Sequence, residues 1–231
     1  MNLLAIDTVT EMASVALLSG EDILSEQELV PKEHTRVILP MIKQAMARTG
    51  ISFSQLDAIA FSRGPGSFTG LRICASITQG LAIAYGLPVI PVSSLASLAQ
   101  GSFRLDGKTN VIACLDARRH EVYWGAFIIG DNDMMHAMVP ESVIAPQDAR
   151  TEPGMLWHGV GSGFATYQKE LAENPHVNVT SSIAERFPLA QDMLPYAKIA
   201  CSQGKVVDAS LAIPTYLRDN IAKPRQAENR S

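Results

Sequence analysis

Apolar and polar positions along the chain follow two periods, and each change of period marks an element. Residues 2–7 and 12–18 are almost continuously apolar and are joined by a short polar turn, which predicts a hairpin of buried strands. Residues 23–29 predict a third strand, stopped by Pro31. Apolar residues then recur every three or four positions over about 34–48, predicting a helix closed by Gly50, with Pro40 marking a kink or a late start. The short apolar run 56–62 reads as a strand. It empties into Arg63-Gly64-Pro65-Gly66-Ser67-Phe68-Thr69-Gly70, a turn rich in residues that tolerate unusual backbone angles. A helix over about 69–85 follows, closed by Gly86 and Pro88, then a strand at 89–92 and a helix through Gln100 capped by Ser93 or Ser94. Beyond a loop at 101–110, strands are expected at 111–115, 122–129 and 155–160, with helices near 164–173 and 190–203. Strands alternating with helices throughout make the class α/β.

One device occurs twice. Leu3-Leu4-Ala5-Ile6-Asp7-Thr8 is followed by an apolar stretch from Met12 to Leu18, and Val111-Ile112-Ala113-Cys114-Leu115-Asp116-Ala117 by one from Val122 to Ile129. The two Asp residues sit at matching points. A duplicated strand–Asp–turn–strand unit predicts two related mixed-sheet lobes facing one cleft, each offering it a carboxylate. The chain then divides into an N-terminal lobe over 1–104, a C-terminal lobe over 105–220 and a flexible tail over 221–231. Asp7, Thr8 and Asp116 are the candidates for a Mg²⁺–nucleotide cleft, because such a cleft needs carboxylates for the metal's water shell and small donors for phosphate oxygens. The plainer alternative is that both carboxylates cap strand ends, and the residues alone leave both readings open.

Other signatures come close and miss. Gly64 to Gly70 has one residue too many for G-x-G-x-x-G and lacks the Gly-Lys-Ser/Thr end of a P-loop. Gly159-Val160-Gly161-Ser162-Gly163 is off by one from a nucleophile elbow. His120-Glu121 opens like a zinc-protease helix, but Trp124 stands where the second histidine belongs. No catalytic residue and no metal site is assigned.

Two helices carry more apolar surface than one sheet needs, since packing takes a stripe of about 100°. Over 34–48, Val37, Met41 and Ala45 form one stripe and Ile38, Ile42 and Met46 the next. Over 69–85, Ile73, Ile77, Leu81 and Tyr85 make a bulky stripe beside the small residues Ser76, Gly80 and Ala84, with Arg72 the one charged residue. The expectation is an intersubunit four-helix bundle using Ile38, Met41, Ile42, Ala45, Met46, Ile73, Ile77, Gly80, Leu81 and Ala84. The competing reading is that the second helix is simply central in its own α/β layer.

Composition narrows the partners. The 231 residues carry a net charge of −4, with basic clusters only at Arg118-Arg119-His120 and in the tail, so any RNA is expected to be held mostly by another subunit. No run of 18 apolar residues suggests a membrane span. Three well-separated cysteines in apolar contexts fit reduced thiols and a cytoplasmic location.

Several of these segments together resemble the TsaB (YeaZ) family: Leu3 to Thr8, Glu33-His34-Thr35, the Gly64 to Arg72 loop, Asp116-Ala117-Arg118, Glu121-Val122-Tyr123-Trp124 and Tyr216-Leu217-Arg218. The resemblance spans essentially the whole chain, and the Gly-Pro-Gly-Ser-Phe-Thr-Gly loop is its most specific part. It implies the actin-like ATPase (ASKHA) fold, with duplicated lobes around a nucleotide cleft. It also implies a non-catalytic scaffold that pairs with TsaD through the two N-lobe helices, or with itself as a homodimer, and works with TsaE. Together they transfer the threonylcarbamoyl group to the adenosine beside the anticodon of tRNAs reading ANN codons. ATP and Mg²⁺ are then used by the assembled complex, with no cofactor assigned to this chain, and tRNA is met only through the complex. Arg63 and Arg118 are expected near the subunit junction. The second histidine of TsaD's metal-binding helix has no counterpart after His34. The alternatives are an active Mg-ATP phosphotransferase of the same superfamily, and a peptidase as the older glycoprotease-like label suggests.

Overall fold

A computed structural model describes residues 1–218; the predicted tail, 221–231, lies outside them. In chain order the elements are β1 (Asn2–Asp7), β2 (Met12–Ser19), β3 (Asp22–Leu29), α1 (His34–Thr49), β4 (Ala58–Gly64), α2 (Phe68–Tyr85), β5 (Val89–Ser93) and α3 (Ser94–Asp106). They continue as β6 (Asn110–Arg118), β7 (Glu121–Ile129), β8 (Met135–Ala137), β9 (Ser142–Ile144), β10 (Trp157–Val160), α4 (Gly163–Thr166), α5 (Gln168–Glu173), β11 (Val179–Ile183) and α6 (Ala190–Ser202).

The duplication is real at the level of topology. The first sheet has the order β3-β2-β1-β4-β5, and the second reads β8-β7-β6-β10-β11 in the same sense. In each, the first strand pairs antiparallel with the next and parallel with the crossover strand. This is the two-lobed α/β architecture of duplicated mixed sheets.

Both central strands are covered on both faces, which explains their unbroken apolar sequence. Leu4 and Ile6 point into a core with α1 and α2, whereas Leu3 and Ala5 face α6. In the second lobe Val111 and Ala113 face α3, and Ile112 and Cys114 face α4 and α5. Helices α3 and α6 pack on each other between the sheets. Their contact is fastened by Arg104, whose Nε donates to the buried Asp192 Oδ1 at 2.6 Å, and by the Tyr196 hydroxyl, which reaches the Ala96 carbonyl of α3 at 3.3 Å and the Met135 carbonyl of β8 at 2.7 Å.

Three expectations change. The 101–110 loop is helical to Asp106 and capped by Gly107 in the left-handed region, so α3 belongs as much to the second sheet as to the first. The 104/105 division therefore does not separate the packing: α3 crosses to the second sheet, and α6 returns to cover the first. Helix α1 runs unbroken through Pro40. Most consequentially, Ile38, Met41, Ile42, Ala45 and Met46 do not form an outer face. All five are buried in the protomer's own core, because α1 lies across β2 and β3 and turns both apolar stripes inward. The outward face of α1 is mostly polar, with Arg36, Lys43, Gln44 and Arg48 exposed.

Helix α2 behaves differently. Ile73, Ile77 and Leu81 are half-buried at the edge of the core, while Ser76, Gly80 and Ala84 are exposed, and beside them Ile83 is 65% exposed. Ile42→Glu is therefore expected to abolish the cooperative thermal transition, since it places a charge where Ile42 is 1% exposed. Ile83→Glu is expected to leave Tm within about 2 °C of the parent, as surface substitutions usually do. Circular dichroism melts of the two variants check both.

Candidate functional site

The loop between β4 and α2 determines what the first lobe shows to the cleft. Its glycines lie directly on the β1–β2 turn. A Cβ at Gly66 would sit 2.6 Å from the Val9 carbonyl oxygen, and one at Gly70 would fall on the Thr8 carbonyl oxygen. Ser67 donates its amide to the Val9 carbonyl at 2.8 Å, and the Thr8 hydroxyl donates to the Gly70 carbonyl at 2.8 Å. Ser67 also caps α2, accepting from the Gly70 amide at 3.4 Å. The loop thus clamps the turn and directs the α2 N-terminus at the space between the lobes.

The same clamp seals Asp7. Its carboxylate is fully buried; Oδ1 accepts from the Val9 amide at 3.0 Å, and Oδ2 has no partner. Burial pushes the carboxyl up to about 7, against the opposing pull of the Val9 amide and the Ser62 hydroxyl. Asp7 does not line the interlobe cavity. Thr8, also buried, spends its hydroxyl on Gly70.

Asp116, the matching residue of the second lobe, does reach the cavity, a space of about 1110 Å³ between the lobes. Its Oδ1 accepts from the Arg118 amide at 2.8 Å, its Oδ2 pairs with the Arg118 guanidinium at 2.9 Å, and its amide donates to Ser162 Oγ at 3.1 Å. The expected pair of carboxylates across one cleft is therefore reduced to Asp116. The residues do not fit a Mg²⁺–nucleotide held between Asp7 and Asp116, because one of the two is desolvated beneath the turn that should have offered it.

Among the charged residues of the cavity wall the cationic ones outnumber the anionic. Lys32, Arg118, Arg119 and Arg218 line it, against Glu11 and Asp116. His34 also lines it, 7% exposed with Nε2 unpartnered; burial lowers its pKa, so the ring is neutral near pH 7. Arg118, Arg119 and His120 form the β6–β7 turn with φ of 61°, 56° and 62°, three consecutive non-glycine residues in the left-handed region. Of the two junction candidates, Arg118 is at the cavity, while Arg63 lies outside its wall at the end of β4.

The second glycine cluster is structural. A Cβ at Gly161, whose φ is +106°, would lie 2.5 Å from the Cys114 carbonyl oxygen and 2.8 Å from Leu98 Cδ2. These glycines bring the β10–α4 turn hard against β6. Cys74 and Cys114 are fully buried, and desolvation raises both thiols. Among the described residues no group of three or more His, Cys, Asp or Glu is placed to share a metal ion.

Sequence reading missed Lys32, Arg119, His34 and Arg218 as neighbours across the cleft. They come from three separate segments; Glu33-His34-Thr35, the basic cluster Arg118-Arg119-His120 and Tyr216-Leu217-Arg218 marked three of the four residues, and nothing local placed them together.

Two outcomes follow from the clamp. Below about pH 4 Asp7 is protonated folded or unfolded. Between pH 4 and 7 only the unfolded chain ionises, so this group's contribution falls as pH rises and is least favourable above 7. Asp7→Asn keeps an acceptor for Val9 and removes the charge. It should raise Tm at pH 8 by about 5 °C or more and converge on the parent below pH 4, measured by differential scanning calorimetry. Gly70→Ala should destabilise by about 1–3 kcal/mol in urea titrations, because its methyl group has only backbone to displace.

Comparison with known proteins places the chain among relatives of similar length. Residues 21–225 match the family described as "TsaD: tRNA N6-adenosine threonylcarbamoyltransferase". The chain is 40% identical over 230 residues to the tRNA threonylcarbamoyladenosine biosynthesis protein TsaB of Escherichia coli K12, covering 96% of each chain. It is 38% identical over 229 residues to the TsaB of Haemophilus influenzae, covering 96% of this chain and 95% of that one. The solved structure of YeaZ from Pseudomonas aeruginosa superposes with a TM-score of 0.88 at 40% identity, over 94% of this chain and 99% of that chain. This similarity runs end to end, and the chain belongs to the TsaB (YeaZ) family.

Proposed function

We propose that this chain is a scaffold subunit of the machinery that makes threonylcarbamoyladenosine in tRNA. It acts with TsaD and TsaE in transferring the threonylcarbamoyl group to the adenosine beside the anticodon of tRNAs reading ANN codons. Membership of the TsaB family supports the pathway. The observation that carries the scaffold role is the sealing of Asp7, which leaves the cleft without the paired carboxylates a phosphotransferase would need. The acidic balance of the chain supports a division of labour in which tRNA is gripped by a partner.

The docking face in this reading is α2 alone. The small side chains of Ser76, Gly80 and Ala84 let a neighbouring helix backbone approach closely, with Ile83 beside them and Ile73, Ile77 and Leu81 at the margin. The same face serves TsaD or a second copy of this chain, so the two compete. ATP and Mg²⁺ belong to the assembled complex.

A reconstituted assay with tRNA, TsaD, TsaE and threonylcarbamoyl-adenylate tests the role. Modification should require this chain, and full modification without it would overturn the proposal. Ile83→Glu should weaken TsaD association at least tenfold in sedimentation or calorimetry and lower modification in parallel, with the melting temperature retained.

A further inference from the structure

The segment after α6 runs along the first lobe before it reaches the second. Val207 pairs with Val89, the Gln79 amide donates to the Ala209 and Ser210 carbonyls at 3.4 Å, and Ala212 is buried in the first-lobe core. Thr215 then donates its amide to the Arg63 carbonyl at 2.8 Å, and Tyr216 packs on Phe68 with ring centroids 5.9 Å apart. Every one of these anchors is on the first lobe. Among the described residues of this segment, Arg218 is the one that hydrogen-bonds to the second lobe. Its guanidinium pairs with Glu121 and donates to the Ala117 carbonyl at 3.1 Å, with the Arg118 carbonyl at 3.5 Å.

The place it grips holds three consecutive non-glycine residues at positive φ, the longest such run among the described residues. Each non-glycine residue in the left-handed region is disfavoured by roughly 1–2 kcal/mol, and such conformations persist only where the surroundings over-determine them. Arg118, Arg119 and His120 adopt it in succession, with their side chains exposed. Asp116 holds the turn from one side through the Arg118 amide, and Arg218 holds it from the other through the Ala117 carbonyl and Glu121. A planar guanidinium suits this task because it can meet a carboxylate and a carbonyl at once.

We propose that Arg218 is a positioning residue. It clasps the C-terminal strap of the first lobe to the β6–β7 turn of the second, and so sets where Arg118 and Arg119 stand at the mouth of the interlobe cavity. The inference rests on this geometry and is independent of the proposed partners. Removing the clasp should free the turn without loosening the first-lobe anchors.

Amide hydrogen exchange on the full chain tests it. In Arg218→Ala, amides of residues 118–121 should exchange at least tenfold faster than in the parent, while those of β1, β4 and α2 keep their rates. Arg218→Lys should give an intermediate rate, and Glu121→Gln, which spares the carbonyl bond, a smaller one. Unchanged exchange at 118–121 in Arg218→Ala would overturn the proposal. So would acceleration spread evenly over both lobes, which would mark Arg218 as a general stabiliser. Should Arg218→Ala fail to fold, the same comparison is read from Arg218→Lys and Glu121→Gln, and parent-like rates at 118–121 in both would overturn it.

Discussion

The contact between the glycine loop and the Thr8–Val9 turn governs much of the rest. Two backbones approach there more closely than any side chain allows, with Gly66 against Val9 and Gly70 against Thr8. That approach aims α2 at the space between the lobes, occupies the Thr8 hydroxyl and closes water off from Asp7. The carboxylate most suggestive of nucleotide chemistry is thereby turned into a buried acid held near neutrality. The same loop begins α2 at an angle that leaves Gly80, Ile83 and Ala84 outside the protomer's core. One close approach thus bears on both the burial of Asp7 and the start of α2.

The second constraint is the central helical layer. Helices α3 and α6 each cover the sheet of one lobe and then cover each other, so the first lobe completes its core only when the chain returns through α6. The pair of exposed Arg104 with buried Asp192 holds that layer, and removing Arg104 would leave the buried carboxylate uncompensated. Away from that layer the lobes are also tied through Arg218 to the β6–β7 turn and through the Ser93 hydroxyl to Glu141.

Much of the fold was legible. The repeated strand–Asp–turn–strand unit predicted matching sheets because a strand buried on both faces must be apolar at every position, and such runs are rare by chance. Both N-lobe helices were readable from their spacing and their closing glycines. The 101–106 stretch was misread as a loop because Gly101 looks like a helix stop. That glycine is there to admit Asp192, since a Cβ would lie 2.7 Å from its Oδ2. The strand β11 went unseen because Val179–Ile183 is an edge strand with an exposed, polar middle.

The site was legible in its parts and not in its assembly. Asp7 and Asp116 stand at equivalent points of the repeat, and nothing local distinguishes them. Burial does, and burial depends on a loop some sixty residues away that folds onto the Thr8–Val9 turn, whereas the equivalent Gly161–Gly163 turn packs on Cys114 and leaves Asp116 at the cavity. In the same way, apolar periodicity told how much greasy surface α1 and α2 carry, whereas the sheet beneath decided that α1 spends all of it inside and α2 does not. Local sequence determines element type, period and family, because these follow from neighbours along the chain. Which equivalent residue meets solvent, and which helix face remains for a partner, were decided only by tertiary packing, because desolvation is set by atoms distant in sequence.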